Sequence, residues 1–309
     1  MARVRMLLDC DPGLDDAIAL LIAAHLTDLV GITTVNGNVG IDHTTHNALA
    51  IAQVAQLDVP IHRGAARPYV NEPIDAAYVH GATGLGSVEV PDVTGTVVSD
   101  DAAGFIVESA RSIADLELVA VGPLTNIADA VTADPDLRGR LGGFTIMGGA
   151  AVGGNTTATS EFNIWADPEA ADVVFRTMAP FTMVGLDVTH QVLLGPAERD
   201  RMRAAATPAS LLAADLLDYA VARAGELRGS AGAPIHDACA VLAVTHPHLF
   251  AGTDHPVEVE LTGTHTRGMT VVDARPMAET DRPIHVLRDA DSAAAIDVIV
   301  ESVLALGSS

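Results

Sequence analysis

Asp9, Asp11, Asp15 and Asp16 fall within eight residues near the start of the chain, in the run Leu-Leu-Asp-Cys-Asp-Pro-Gly-Leu-Asp-Asp. Carboxylates this crowded repel: a pair about 4 Å apart costs roughly 4 kcal/mol at an effective dielectric of about 20. A chain gathers such charge when a cation or bound protons compensate it, and hard cations such as calcium and magnesium take oxygen ligands of this kind. Strand alternation puts Asp9 and Asp11 on one side and Cys10 on the other. Pro12-Gly13 predicts a tight turn, after which Asp15 and Asp16 open a helix near its positive end. One aspartate there is an ordinary cap. Four exceed what capping needs, and a metal site is the expectation.

The elements that must hold this cluster follow from periodicity. Strands are predicted at 4–8, 29–34, 60–62, 116–120, 144–147 and 181–186. Helices are predicted at 15–25, 43–56, 102–113, 126–132, 168–176, 196–206, 209–222 and 236–245. Late strands at 257–261, 270–272 and 284–287 precede a closing helix at 290–306. Strand–helix alternation of this kind predicts an open, mainly parallel, doubly wound α/β sheet. No internal repeat or low-complexity linker divides the chain. A single domain over 1–309 is expected, with a glycine- and proline-rich loop at about 64–100 that is long enough to be functional. In such sheets ligands bind beyond the carboxyl ends of the strands. Asp11, Asn38, Thr125, Asn126, Met147 and Asp187 all fall at that place.

Composition excludes several classes. The chain has 309 residues, 49% of them hydrophobic, and a net charge of −23. Phosphate-backbone binding needs basic patches, so a nucleic-acid partner is not expected; nor is an anionic membrane. No apolar run is long enough to span a bilayer, and no signal-peptide pattern opens the sequence. With only two cysteines, a disulfide framework is not expected, which fits a soluble protein of a reducing cytoplasm. The chain contains no lysine, which removes P-loop, Schiff-base and kinase chemistry.

The run Asp-Cys-Asp-Pro-Gly-Leu-Asp-Asp-Ala resembles the N-terminal fingerprint of the nucleoside hydrolases, calcium-dependent N-ribohydrolases with an open α/β fold. Three further segments match in order: Gly122-Pro123-Leu124-Thr125-Asn126, Glu161-Phe162-Asn163-Ile164 with Ala166-Asp167-Pro168-Glu169-Ala170, and His236-Asp237-Ala238-Cys239-Ala240. The resemblance implies Ca2+ held by Asp11, Asp16, Asp237 and the Thr125 carbonyl, with Asp11 also the general base. It implies that Asp15, Asn38, Asn155, Glu161 and Asn163 hold the ribose, with Met147 and Phe162 packing nearby. His236 becomes the candidate leaving-group acid, and His80 faces the base from a mobile loop. Relatives of broad specificity place tyrosines on the helix before the His-Asp pair; here Tyr219 is available, with Arg223 one turn on. The substrate implied is a ribonucleoside, cleaved to base and ribose, and the assembly a homodimer or homotetramer.

Two rivals stand beside this reading. A haloacid-dehalogenase-like phosphatase also opens with strand-Asp-x-Asp and uses magnesium, but it wants a distant lysine that is absent here. A non-catalytic nucleoside- or sugar-binding protein with a structural calcium would share the acidic cluster. A zinc site of Cys10, Cys239 and His236 is conceivable, but Cys10 points away from Asp11 in an alternating strand, and buried free thiols are expected.

Overall fold

The structure is a computed structural model that describes residues 3–307. Six strands appear in chain order: Arg5–Cys10 (β1), Asp28–Thr34 (β2), Ile61–Arg63 (β3), Glu117–Ala120 (β4), Gly143–Met147 (β5) and Phe181–Val184 (β6). Two later strands, Phe250–His255 and Ile284–Ala290, complete an eight-stranded sheet. The order across it is β3-β2-β1-β4-β5-β6, then Ile284–Ala290, then Phe250–His255 at the edge. Every pairing is parallel except the last. Strand β1 is covered on both faces, so it reads as the near-continuous apolar run Met6-Leu7-Leu8 rather than as an alternation.

Chain order reverses at β1. From it the sheet grows through β2 and β3 to one side and through β4 to β6 on the other. The switch point of a doubly wound sheet is where ligands bind, and the aspartate loop leaves β1 there. One core layer includes Leu20, Leu217, Leu242 and Val300, from the helices Leu14–Leu26, Pro208–Arg228, His236–Thr245 and Ser292–Ala305. The opposite layer includes Ile106, Ile127 and Val174, from Ala102–Ser112, Thr125–Ala133 and Pro168–Thr177. The first helix, Leu14–Leu26, is buried over its first ten residues, acidic pair included. It packs on His236–Thr245, and that contact carries Asp237 to the N-terminal acidic cluster.

The differences from expectation have local causes. Residues 257–259 and 270–272 form a separate antiparallel pair outside the main sheet. The edge strand Phe250–His255 was not foreseen, because its half-exposed sequence Phe-Ala-Gly-Thr-Asp-His carries no apolar alternation. The helix foreseen to end at 222 runs on to Arg228, since nothing breaks it before Gly229, whose φ of 64° closes it in the left-handed region. Residues 64–100 are mostly irregular and contain one short helix, Ala77–His80. Among the described residues, no helix is long and apolar enough to cross a membrane.

Candidate active site

The acidic cluster assembles from three elements. Asp11 leaves β1, Asp15 and Asp16 sit in the first turn of Leu14–Leu26, and Asp237 opens His236–Thr245. Ligand atoms of Asp15, Asp16 and Asp237 lie within 4.8 Å of one another, and all three side chains are buried. Asp16 ties the loop together: its Oδ1 accepts the Asp11 N–H at 3.1 Å and its Oδ2 the Gly13 N–H at 2.9 Å. Asn38 donates from its backbone to Asp11 Oδ2 at 2.6 Å and from its amide to Asp16 Oδ2 at 2.9 Å. Asp11 is wedged between Gly37 and Gly122; a Cβ on either would overlap its carboxylate.

Electrostatics point to a missing positive charge. Burial raises the pKa of Asp11, Asp15, Asp16 and Asp237 above the ordinary carboxyl value, and for Asp11 and Asp237 the neighbouring aspartates raise it further. The buried Oδ1 of Asp11 has no hydrogen-bond partner. An all-oxygen donor set, mutual repulsion and an orphaned carboxylate oxygen are what a hard divalent cation resolves. These residues fit such an ion. Asp9 does not join them: its Oδ1 accepts from Thr33 at 2.6 Å and Asn126 at 2.7 Å, and burial pushes its pKa up to about 7.

Above the cluster lies a cavity of about 760 Å³ when the open solvent at its mouth is counted. Asp15, Asn38, Met147, Asn155, Glu161, Phe162, Asn163 and Asp237 line one end. Glu161 and Asn163 are not an extended pair, as their spacing suggested. Glu161 is the N-cap of the short helix Phe162–Ala166, accepting from Asn163 N and Ile164 N, and from Gly149 N across the cavity wall. Burial, opposed by these hydrogen bonds, raises its pKa to about 7. Asn163 donates to the carbonyls of Val121 at 2.8 Å and Met147 at 3.1 Å. Asn155 Oδ1 accepts the Phe162 N–H at 2.9 Å.

Tyr78, Val79, His80, Ala220, Arg228, Pro234, Ile235 and His236 complete the lining. His80 reaches it from the 64–100 loop and is buried, its Nδ1 accepting the Leu14 N–H at 3.1 Å. His236 Nδ1 lies 2.7 Å from the Thr189 hydroxyl. Burial, then the neighbouring His190, Arg228 and His80, push the His236 pKa well below 6.5. Its imidazole is therefore neutral near pH 7. A neutral ring offers a hydrogen bond rather than a ready proton, which narrows the acid role expected of it.

Three expected residues lie elsewhere. Thr125 does not line the cavity; its hydroxyl donates to Asp167 at 2.7 Å as it opens the helix Thr125–Ala133. The carbonyl that faces this region belongs to Val121, at the end of β4. Tyr219 is turned away: its ring packs against Gly86, and it is its neighbour Ala220 that meets the cavity. Successive helical residues point about 100° apart, so a one-position difference decides the face. Asp187 stays outside, accepting from Ala151 N at 2.6 Å. Cys10 and Cys239 are buried free thiols bonded to the Thr33 and Ile235 carbonyls, and neither joins a metal-holding group among the described residues. Arg228, His190 and Val121 were missed. A backbone carbonyl has no side-chain signature, and a lone arginine or histidine at an element's end reads as surface.

An N-terminal acidic loop at the switch point of this sheet, closed by a C-terminal His-Asp pair, defines a class that comparison with known proteins identifies. Residues 6–297 match the family model of inosine-uridine preferring nucleoside hydrolases. The chain belongs to that family, and so to the enzymes that hydrolyse N-glycosyl bonds. It is 40% identical over 302 residues to the pyrimidine-specific ribonucleoside hydrolase RihA of Shewanella woodyi, covering 96% of this chain and 97% of the relative. The RihA of Escherichia coli K12 is 36% identical over 301 residues, with 96% and 97% covered. Among solved structures, the purine-preferring ribonucleoside hydrolase from Gardnerella vaginalis superposes with a TM-score of 0.92 at 32% identity, covering 98% of each chain. Membership of this family sets aside the phosphatase and the non-catalytic binder.

Proposed function

We propose that the protein hydrolyses the N-glycosidic bond of ribonucleosides, releasing free base and ribose, with one calcium ion at the acidic cluster. Asp11, Asp16 and Asp237 would hold the ion, with the Val121 carbonyl in the place first expected of Thr125. Bound there, calcium orients the sugar hydroxyls and lowers the pKa of a water molecule. Asp11, with one oxygen otherwise unpartnered, takes the proton of the attacking water. Asp15, Asn38, Asn155, Glu161 and Asn163 hold the ribose, and Met147 and Phe162 pack against it. Bond cleavage builds positive charge on the ribosyl ring, which the carboxylates around it favour. His236 donates a hydrogen bond to the departing base, and His80 and the 64–100 loop cover it. The two buried thiols fit a reducing cytoplasm, and the reading includes a homodimer or homotetramer.

The observation that carries this reading is the closure of Asp237 on Asp15 and Asp16 beside the cavity. The test is release of reducing sugar from uridine, cytidine, inosine and adenosine, with and without calcium added to chelator-stripped protein. Uridine is the first substrate to try, because the curated relatives are named for pyrimidine ribonucleosides. Ribose release that returns on calcium addition is expected. No release from any nucleoside, or full activity in demonstrably metal-free protein, would refute the corresponding half of the proposal.

A further inference from the structure

Arg228, the last residue of Pro208–Arg228, is exposed and lines the cavity together with Ile235 and His236. An arginine there commonly does no more than complement the helix dipole. Its surroundings ask more of it. Most of the chain's arginines are ion-paired, as Arg199 is with Asp218 and Arg267 with Glu169. Arg228 shows no carboxylate partner among the described residues, in a chain of net charge −23; its Nη1 meets His190 Nε2 at 3.2 Å instead. A guanidinium only donates, so His190 Nε2 must accept, and His190 is neutral with its proton on Nδ1. The His190 ring in turn packs edge-on against His236, with centroids 5.5 Å apart. Arg228 is thus fixed at one N–H by an imidazole that abuts the site, with its other donors unspent on any acid.

We propose that Arg228 is the specificity-determining residue of the base end, donating to the carbonyl oxygen at C4 of a pyrimidine or C6 of a purine and so selecting uracil and hypoxanthine over cytosine and adenine, which carry an amine at that position. The inference rests on the ribonucleoside-hydrolase reading and deepens it. An exocyclic amine presents N–H groups to a donor-only guanidinium and finds no acceptor there. An oxo base presents lone pairs. The same contact acts on the chemistry. As the C1′–N bond breaks, its electron pair passes to the base while the water oxygen bonds to C1′ and the water's proton goes to Asp11. In an oxo base that pair delocalises onto the carbonyl oxygen beside the guanidinium, and the base then takes up one proton, leaving neutral base and neutral ribose. Ile235, Pro234 and Ala220 line the same cavity, and a hydrogen bond from the charged, solvent-exposed Arg228 is roughly twice as strong as a neutral one.

The test is kcat/KM for uridine against cytidine, and inosine against adenosine, in the wild type and in Arg228→Lys, Arg228→Gln and Arg228→Leu, each loaded with calcium. The wild type is expected to favour the oxo partner of each pair. In Arg228→Leu the loss on uridine and inosine should be about 10- to 100-fold greater than on cytidine and adenosine, the range of a hydrogen bond to a charged group. Arg228→Lys should fall between, because it keeps charge without the fork. Inhibition by free ribose reports separately on the sugar end and should persist in all three. Ratios that stay constant across the variants, or equal losses on all four nucleosides, would overturn the assignment and leave Arg228 a helix-end charge. A wild type that releases ribose from no nucleoside would instead sink the underlying reading, so the two failures are distinguishable.

Discussion

The two ends of the cavity are built differently. At the sugar end, polar groups are tied to backbone within four residues of a strand terminus: Asp11 to Asn38, Asp16 to Gly13, Glu161 to Gly149, Asn163 to Val121. At the base end, the walls come from an irregular loop, the last turn of a long helix and an imidazole–guanidinium pair, joined by a few long-range contacts such as His80 to Leu14 and Arg228 to His190. The first construction holds charges in place against their own repulsion, which a rigid frame must do if a cation is to find them ready. The second leaves side chains whose identity can change without disturbing the carboxylate cluster. In the proposed mechanism the cation and the attacking water belong to the frame, and the departing base to the periphery.

The largest test of that division is Asp11→Asn, which removes a ligand and the proposed base together. Its kcat should fall about 10⁴-fold, and by the same factor on nucleosides and on an activated nitrophenyl riboside. His236→Ala should separate the two ends: about 10²-fold lower kcat on inosine or uridine, with the nitrophenyl riboside spared because its leaving group needs no help. Equal losses on both substrates would place His236 in the frame instead. A smaller effect is expected of Arg223→Ala. Arg223 bonds to the Tyr78 carbonyl and to Glu226, and so fastens the 64–100 loop to the helix behind it. KM should rise by about 2- to 5-fold, the worth of one exposed tie, with kcat little changed; an unchanged KM would free the loop from that contact.

Acidity sharpens the comparison at the metal. The four clustered carboxyls have folded-state pKa values raised above the ordinary one. Protons therefore compete with a cation as pH falls, and calcium affinity should weaken as the pH drops to and below about 6, the value to which Asp15 is raised. An affinity that held constant, measured by calorimetry, would mean that these carboxyls are already ionised across that range.

The same division decides how much the sequence discloses. Asp11, Asp15, Asp16 and Asp237 could be read because clustered carboxylates have no cheaper explanation, and because the strand–helix alternation placed them at a strand's carboxyl end. The mainly parallel sheet followed from the same alternation, while the strand order around β1 came only with the structure. The separate pair at 257–259 and 270–272 could not, since periodicity marks strands and not their partners. Val121, which lines the cavity, was invisible because a backbone carbonyl leaves no trace in residue type, and attention fell on Thr125, whose hydroxyl serves Asp167. Tyr219 was singled out by residue character alone, whereas Ala220 and Arg228 line the cavity. Which face of Pro208–Arg228 meets the cavity depends on how the helix packs, and its weakly segregated sequence does not record it.

The central claim is a single divalent ion gripped by carboxylates from both ends of the chain. Calcium titration of metal-stripped protein by isothermal calorimetry, in the wild type and in Asp237→Asn, tests it most directly. One site per chain is predicted, with affinity lowered about 100-fold or more when Asp237 loses its charge. An Asp237→Asn protein that binds calcium as tightly as the wild type, or a wild type that binds none, would contradict it.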